Sequence, residues 1–429
     1  MGNDFDRRQF LKSAAGSVAG LAASSICSAE NQPIAKASAD TCIFVWLAGG
    51  MCHIDTLDPK GRGDGGKTAG SYYNAIKTAV PNVQVTEHLP KVAERMDRIA
   101  LLRGMSHQFS DHTRAVDFVH TGRLPTGTVV YPSIGSIVSH ELGGFDPKAP
   151  AYVVVGEPMQ PRGPGFLGGK SNYIYVTDTQ AGPEGLRRPG DLTSDEYNAR
   201  IRGLREFSSA YLEAGHSSTE VKEYLAAEDQ GFEMMAEKFQ KAFTTKDEPA
   251  QLREAYGAEF GQRLLLSRRL VERGIRFVEC SFNLKFMNGS GWDAHAFAQK
   301  RVHLLIRQLD SALAVLIEDL DKRKMFDRTL VVVATEFGRP PEFDGSGGRG
   351  HHGAAFCLAM FGGGVRGGTV VGETDELGRE VTKRKTSVPD LHATIHHALG
   401  IDPAKHLFTP DHRPVPITDY GKPALEIFA

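Results

Sequence analysis

The feature that most limits the fold is a set of short, unbroken apolar runs. In the clearest, Thr41 to Leu47, Cys-Ile-Phe-Val-Trp-Leu follows the threonine and stops at Ala48-Gly49-Gly50. A strand with one wet face alternates apolar and polar residues. An unbroken run marks a strand covered on both faces, as in a parallel sheet. Further strands are expected at Ile99 to Leu102, Ala151 to Val155, Arg276 to Phe282, Thr329 to Thr335 and Ala355 to Phe361. Helical periodicity separates several of them. Leu305, Leu309, Leu313, Leu316 and Leu320 form one apolar stripe suited to packing on a sheet, and Asp327-Arg328 then turns the chain into the next strand. A second helix, around Phe260 to Arg273, is expected to end at Gly274 as its C-cap. Strand, helix, strand in this order predicts an α/β fold with a doubly wound, mainly parallel central sheet flanked by helices. Residues 180–257 are more polar and helical, and read as an insertion or cap.

With 429 residues, 41% hydrophobic and 24% charged, the chain can bury a sizeable core in one large domain. A formal net charge of -2 gives no electrostatic footprint for nucleic acid or an anionic membrane. The N-terminus has its own character. Asp6-Arg7-Arg8-Gln9-Phe10-Leu11-Lys12 resembles the twin-arginine export motif, Ser13 to Ile26 is weakly apolar, and Cys27-Ser28-Ala29 offers small residues before a cleavage point. That stretch is too short and too weakly apolar for a stable membrane span. The expected layout is a signal peptide over 1–29, a polar linker over 30–40 and one domain over 41–429. The twin-arginine translocase would deliver it to the periplasm or the medium. Cys42, Cys52, Cys280 and Cys357 remain after cleavage; three lie in strand-like runs, which predicts buried free thiols rather than disulfides.

Ligands of open α/β sheets bind at the carboxyl ends of the strands, and the residues that follow the apolar runs share one chemistry. The run at Thr41 leads to His53-Ile54-Asp55, and the run at Arg276 leads to Trp292-Asp293-Ala294-His295. The run at Thr329 enters Glu336-Phe337-Gly338-Arg339, with Arg349-Gly350-His351-His352 beyond it. Ser106-His107 and Asp111-His112-Thr113-Arg114 follow the run at Ile99. One such motif is an ordinary strand end. Four segments gathering imidazoles and carboxylates on one edge predict a metal site, and that donor mixture suits zinc, manganese or iron better than calcium. The expected ligands are Asp55, Asp293, His295, Glu336 and His351, with His53 and His112 next.

The strings from Ile43 to Gly50 and from His53 to Thr56, Gly291-Trp292-Asp293-Ala294-His295, and Thr335-Glu336-Phe337-Gly338-Arg339 resemble the bacterial family called domain of unknown function 1501. So do Phe361 to Gly368, Val371 to Asp375, and Val388 to Thr394, in the same order along nearly all of the mature chain. The family is placed with the alkaline phosphatase and sulfatase superfamily, and its members are typically exported. The resemblance implies an alkaline-phosphatase-like central sheet between helices. It implies that Asp293 and His295 match an Asp and a His that bind one metal, and that Glu336 stands where the superfamily has the Asp of Asp-His-Gly. The chain also departs from the pattern. Phe337 replaces that motif's His, Gly350 replaces the Asp before His351, and Gly49-Gly50 replaces the paired Asp ligands of sulfatases. Counting back from Thr121-Gly122 to the sulfatase nucleophile lands near His112, and no formylglycine motif is present.

These readings predict an exported metal-dependent hydrolase of phosphate or sulfate esters, its substrate a small molecule or a polysaccharide, its ion zinc or manganese. Thr113 and Ser106 are the candidate hydroxyl nucleophiles, and Arg339 or Arg114 could hold an anionic group or form surface ion pairs. The rival reading is a non-catalytic envelope or glycan-binding protein that keeps the fold. Gly362-Gly363-Gly364 and Gly367-Gly368 lack the Lys-Ser/Thr of a phosphate loop and read as a hairpin between two strands. Asp390 to His397 is expected to be a helix with Pro389 near its start, capped by Ser387 or Asp390, with His392 and His396 facing solvent.

Overall fold

The computed structural model describes residues 36–124, 126–157, 163–183, 185–186, 190–235, 237–283, 285–286 and 289–428. The expected signal peptide and the first part of the linker lie outside the described residues. The apolar runs become strands β1 (Thr41–Trp46), β2 (Ile99–Met105), β3 (Tyr152–Val155), β5 (Phe277–Ser281), β6 (Thr329–Ala334) and β7 (Phe356–Phe361), joined by two short strands, β4 (Ile174–Val176) and β8 (Val370–Val371). They form one eight-stranded sheet in the order β8-β2-β7-β6-β1-β5-β3-β4. Every neighbouring pair is parallel except the two that involve β7, which runs against both β6 and β2. The architecture is a mixed, mainly parallel sheet flanked by helices.

Strand β1 shows why the runs are unbroken. Ile43 and Val45 face one core, with Leu264, Leu309 and Leu316. Cys42, Phe44 and Trp46 face the other, with Val119, Ile137 and Ile395. Successive side chains alternate between faces, so a strand covered on both must be apolar throughout. Helices α5 (Glu259–Glu272) and α6 (His303–Lys322) supply the first cover. Helices α1 (His112–Thr121), α2 (Ile134–Leu142) and α7 (Val388–Ala398) supply the second. The polar segment includes helices α3 (Ser194–Glu213), which is mostly exposed, and α4 (Thr219–Met234), which is mostly half-buried. Among the described residues no helix is long and apolar enough to cross a membrane. Cys42, Cys52, Cys280 and Cys357 are buried free thiols.

Two expectations are corrected. The glycine-rich segment after β7 is not a hairpin, because β7 and β8 flank β2 rather than pairing with each other. Its glycines instead allow backbone to lie on backbone: a Cβ on Gly367 would fall 2.0 Å from the Asp97 carbonyl oxygen. Helix α7 does start with the Ser387 and Asp390 capping box, but His392 and His396 are buried. They share the face of Val388, Leu391 and Ile395, which packs into the second core. His392 Nε2 donates to the Val119 carbonyl at 2.8 Å. Burial pulls His392 down to about 4 and His396 to about 3.

Candidate metal centre

Strand ends and one helix start bring the chemistry together. Asp111 caps α1 by accepting the Arg114 backbone N–H at 3.0 Å, which fixes His112 at the first helical position. Beyond β5, Trp292 N donates to the Ala48 carbonyl at 2.6 Å, so the loop carrying Asp293 is clipped to the exit of β1. Gly49 makes this fit possible. Its φ is +116° and an added Cβ would lie 2.2 Å from Asp293 N, so no side chain is tolerated there. A buried Arg339 after β6 ties the same loops from beneath. Its Nε donates to Gly50 O at 3.0 Å, and Nη1 donates to Arg349 O and Gly350 O at 3.0 and 3.3 Å. Nη2 donates to Gly49 O, to Trp292 O at 3.3 Å and to Asp293 Oδ1 at 2.6 Å. Every donor of the guanidinium is used inside the protein, so Arg339 neither forms a surface ion pair nor reaches a substrate anion.

Around Asp293 Oδ1 stand three imidazole nitrogens: His295 Nε2 at 3.0 Å, His112 Nε2 at 3.2 Å and His351 Nε2 at 3.4 Å. His295 Nε2 and His351 Nε2 are 2.9 Å apart. The four ligating atoms lie within 4.8 Å of one another. An ion held at roughly 2.0–2.1 Å by tetrahedral donors separates those donors by about 3.3 Å, so the spacing fits one divalent ion. The ring orientations fit as well. His112 Nδ1 donates to Glu336 Oε1 at 2.9 Å and His351 Nδ1 donates to the Ser110 carbonyl at 3.0 Å. In the neutral tautomer each ring then turns a lone pair on Nε2 towards the others. His112 Nε2 is buried and makes no hydrogen bond.

The charge distribution agrees with that geometry. Burial would raise the Asp293 carboxyl, but His112, His351 and Arg339 outweigh it and hold the group far below the usual carboxylate range. Burial likewise opposes charge on His112, yet Asp293 and Glu336 together push its ring up to about 9. A ring so favourable to positive charge lies in a negative potential that attracts a cation. Side-chain exposures of 20–42% place the cluster near the surface, partly open to solvent.

The other expected residues lie elsewhere. Glu336 sits behind His112, accepting the Gly49 N–H at 2.8 Å on the oxygen that His112 uses. Asp55 is fully buried in an ion pair with Arg349, Oδ2 to Nε 3.0 Å, and its oxygens also accept Tyr72 N and Gln299 Nε2. The one-turn helix His53–Asp55 carries both residues away from the cluster, and His53 Nε2 donates to Gly378 O at 2.8 Å. Burial lowers the His53 ring to about 4. Ser106 is buried past β2, Thr113 is exposed beside His112, and Arg114 pairs with Asp111 at 2.7 Å on the surface. Phe337 packs on the rings of His351 and His112, with centroids 4.7 and 4.9 Å away. A cavity of about 930 Å³ lined by Ser139, Lys148, Ala151, Lys170, Arg205 and Glu233 opens ahead of β3, at the opposite edge of the sheet.

The sequence signal for His112 was its place after the apolar run at Ile99, among the imidazoles and carboxylates expected on one edge of the sheet. The structure puts that imidazole in the cluster. The roles of Arg339 and Arg349 as internal clamps left no such signal, because both depend on carbonyls from distant loops.

Residues 39–428 match the family described as Protein of unknown function (DUF1501), and the chain belongs to that family. No curated protein sequence matches it. Solved structures to which it is similar include the PsFucS1 sulfatase from Pseudoalteromonas sp., at 14% identity and a TM-score of 0.39, covering 92% of this chain and 72% of the other. They also include a protein in the alkaline phosphatase superfamily from Vibrio parahaemolyticus, at 11% identity and a TM-score of 0.35, covering 90% and 71%. A third is the phosphonate monoester hydrolase of Agrobacterium radiobacter, at 11% identity and a TM-score of 0.35, covering 90% and 78%.

Proposed function

We propose, taking membership of that family as the premise, that the protein is an exported metal-dependent hydrolase of phosphate or sulfate esters. The observation that carries this reading is the convergence of His112, Asp293, His295 and His351 on one point, on partly exposed side chains. Zinc or manganese suits three imidazoles and one carboxylate better than calcium does. A divalent ion held there would polarise an ester oxygen and lower the pKa of water. The chain's own part is to hold and orient. Asp293 and the three Nε2 atoms would hold the ion, Arg339 and Gly49 fix the Asp293 loop, and the Ser110 carbonyl and Glu336 fix two ring tautomers. Counting back from Thr121-Gly122 to the sulfatase nucleophile lands near His112, not on a Cys or Ser, which favours attack by water; Thr113, exposed next to it, is the alternative hydroxyl.

The ester class comes from the placing of the family, which the Ile43 to Gly50, Gly291 to His295 and Thr335 to Arg339 strings resemble, with the phosphatase and sulfatase superfamily. Export rests on Arg7-Arg8 and the apolar stretch after them. A non-catalytic, glycan-binding reading is favoured by one finding: Arg339 and Arg349 are both buried and engaged with protein carbonyls or Asp55, leaving neither to anchor an anion. The two readings separate in one experiment. Aryl phosphate, phosphodiester and aryl sulfate would be offered to the protein loaded with zinc, manganese or calcium. Turnover with zinc or manganese that disappears in Asp293→Ala supports the hydrolase; metal binding without turnover on any ester supports the binding protein.

A further inference from the structure

We infer that Glu336 acts on the ion through His112 and is not itself a ligand, so that the centre holds one ion; this rests on reading the His112, Asp293, His295 and His351 cluster as a metal site. Glu336 is the carboxylate at the end of β6 and is 1% exposed. Its Oε1 accepts the Gly49 N–H at 2.8 Å and the His112 Nδ1–H at 2.9 Å, and its Oε2 accepts the Thr335 hydroxyl at 3.2 Å. The far nitrogen of the same imidazole, Nε2, is buried without a hydrogen bond and lies 3.2 Å from Asp293 Oδ1. Carboxylate, imidazole and cluster thus stand in series. That is the arrangement in which an outer carboxylate sets the tautomer and angle of a ligating histidine and raises its basicity.

A ligand role for Glu336 Oε1 would strip two buried donors, Gly49 N and His112 Nδ1, of their acceptor, and Oε2 is turned to the Thr335 hydroxyl. A second ion would need further free donors, and the nearest expected ones are committed. Asp55 is neutralised by Arg349 and capped by Tyr72 N and Gln299, and Gly49-Gly50 offers no side chain. Only one set of four atoms converges among the described residues.

The test is cobalt(II) titration of the metal-free full chain, followed by its visible absorption and checked by elemental analysis after dialysis. Wild type should bind one equivalent. Glu336→Gln should still bind one equivalent, with affinity about 10- to 100-fold lower. His112→Ala combined with Glu336→Gln should bind no more weakly than His112→Ala alone, because the carboxylate would have lost its route to the ion. Two equivalents in wild type, unchanged affinity in Glu336→Gln, or a further loss in the double variant would each overturn the inference. If wild type binds no ion, the metal reading fails as well. If Glu336→Gln does not fold, zinc X-ray absorption on wild type decides. Three imidazoles and one carboxylate with no metal neighbour at about 3.5–4 Å support the inference, and a metal–metal distance or a second carboxylate contradicts it.

Discussion

Arg339, which is wholly buried, donates to Asp293 Oδ1 at 2.6 Å, and its remaining donors close on carbonyls of Gly49, Gly50, Trp292, Arg349 and Gly350. One side chain therefore sets the relative positions of the loops after β1, β5 and β6. Removing it leaves the Asp293 charge without its guanidinium partner and several buried carbonyls without donors. Arg339→Met should destabilise the fold by on the order of 3 kcal/mol, measured as a urea midpoint, and should weaken metal binding at least tenfold. Arg339→Lys should rescue little, because an ammonium cannot span that fan of acceptors. Near-wild-type stability and affinity in both variants would show that the clamp is redundant.

Gly49 gives a test of the same positioning from the backbone side. Its φ of +116° and the 2.2 Å approach of an added Cβ to Asp293 N leave no room for alanine. Gly49→Ala should cost about 2–4 kcal/mol, combining backbone strain with overpacking, and should lower metal affinity by displacing Asp293. A melting temperature within a degree or two of wild type would mean the β1 exit is looser than described.

Stability should depend on pH through the buried face of α7. His392 and His396 have folded-state values of about 4 and about 3, against about 6.5 in an unfolded chain. Between those limits the unfolded state binds more protons, so the contribution of these two rings falls as pH drops from about 6.5 towards 4 and is constant above about 7. Each group contributes a slope of about 1.4 kcal/mol per pH unit in that window. Urea titrations at pH 7 and pH 4.5 should show the loss, and His396→Leu should flatten it. An unchanged slope in that variant would place the proton uptake elsewhere.

The sheet was legible because burial on both faces forces continuous apolar runs, and six of its eight strands announce themselves that way. The two that do not, Ile174–Val176 and Val370–Val371, are short edge strands whose placement depends on pairing with β3 and β2. At the site, sequence shows which segments carry imidazoles and carboxylates but not which way each turns. His53 and Asp55 follow β1 as Asp293 and His295 follow β5, yet a one-turn helix carries the first pair into Gly378 and Arg349. Phe337 and Gly350 read as missing ligands; the structure uses Phe337 as the apolar floor under two histidine rings. The buried histidines of α7 were misplaced because a capped, His-rich helix start looks solvated until the opposing core is known.

The account stands most directly on the metal content of Asp293→Ala. Its Oδ1 lies within 3.4 Å of all three Nε2 donors. Wild type loaded with zinc and exhaustively dialysed should retain about one equivalent, whereas Asp293→Ala, folded by circular dichroism, should retain little or none. Equal zinc in the two proteins would contradict a metal centre at this cluster.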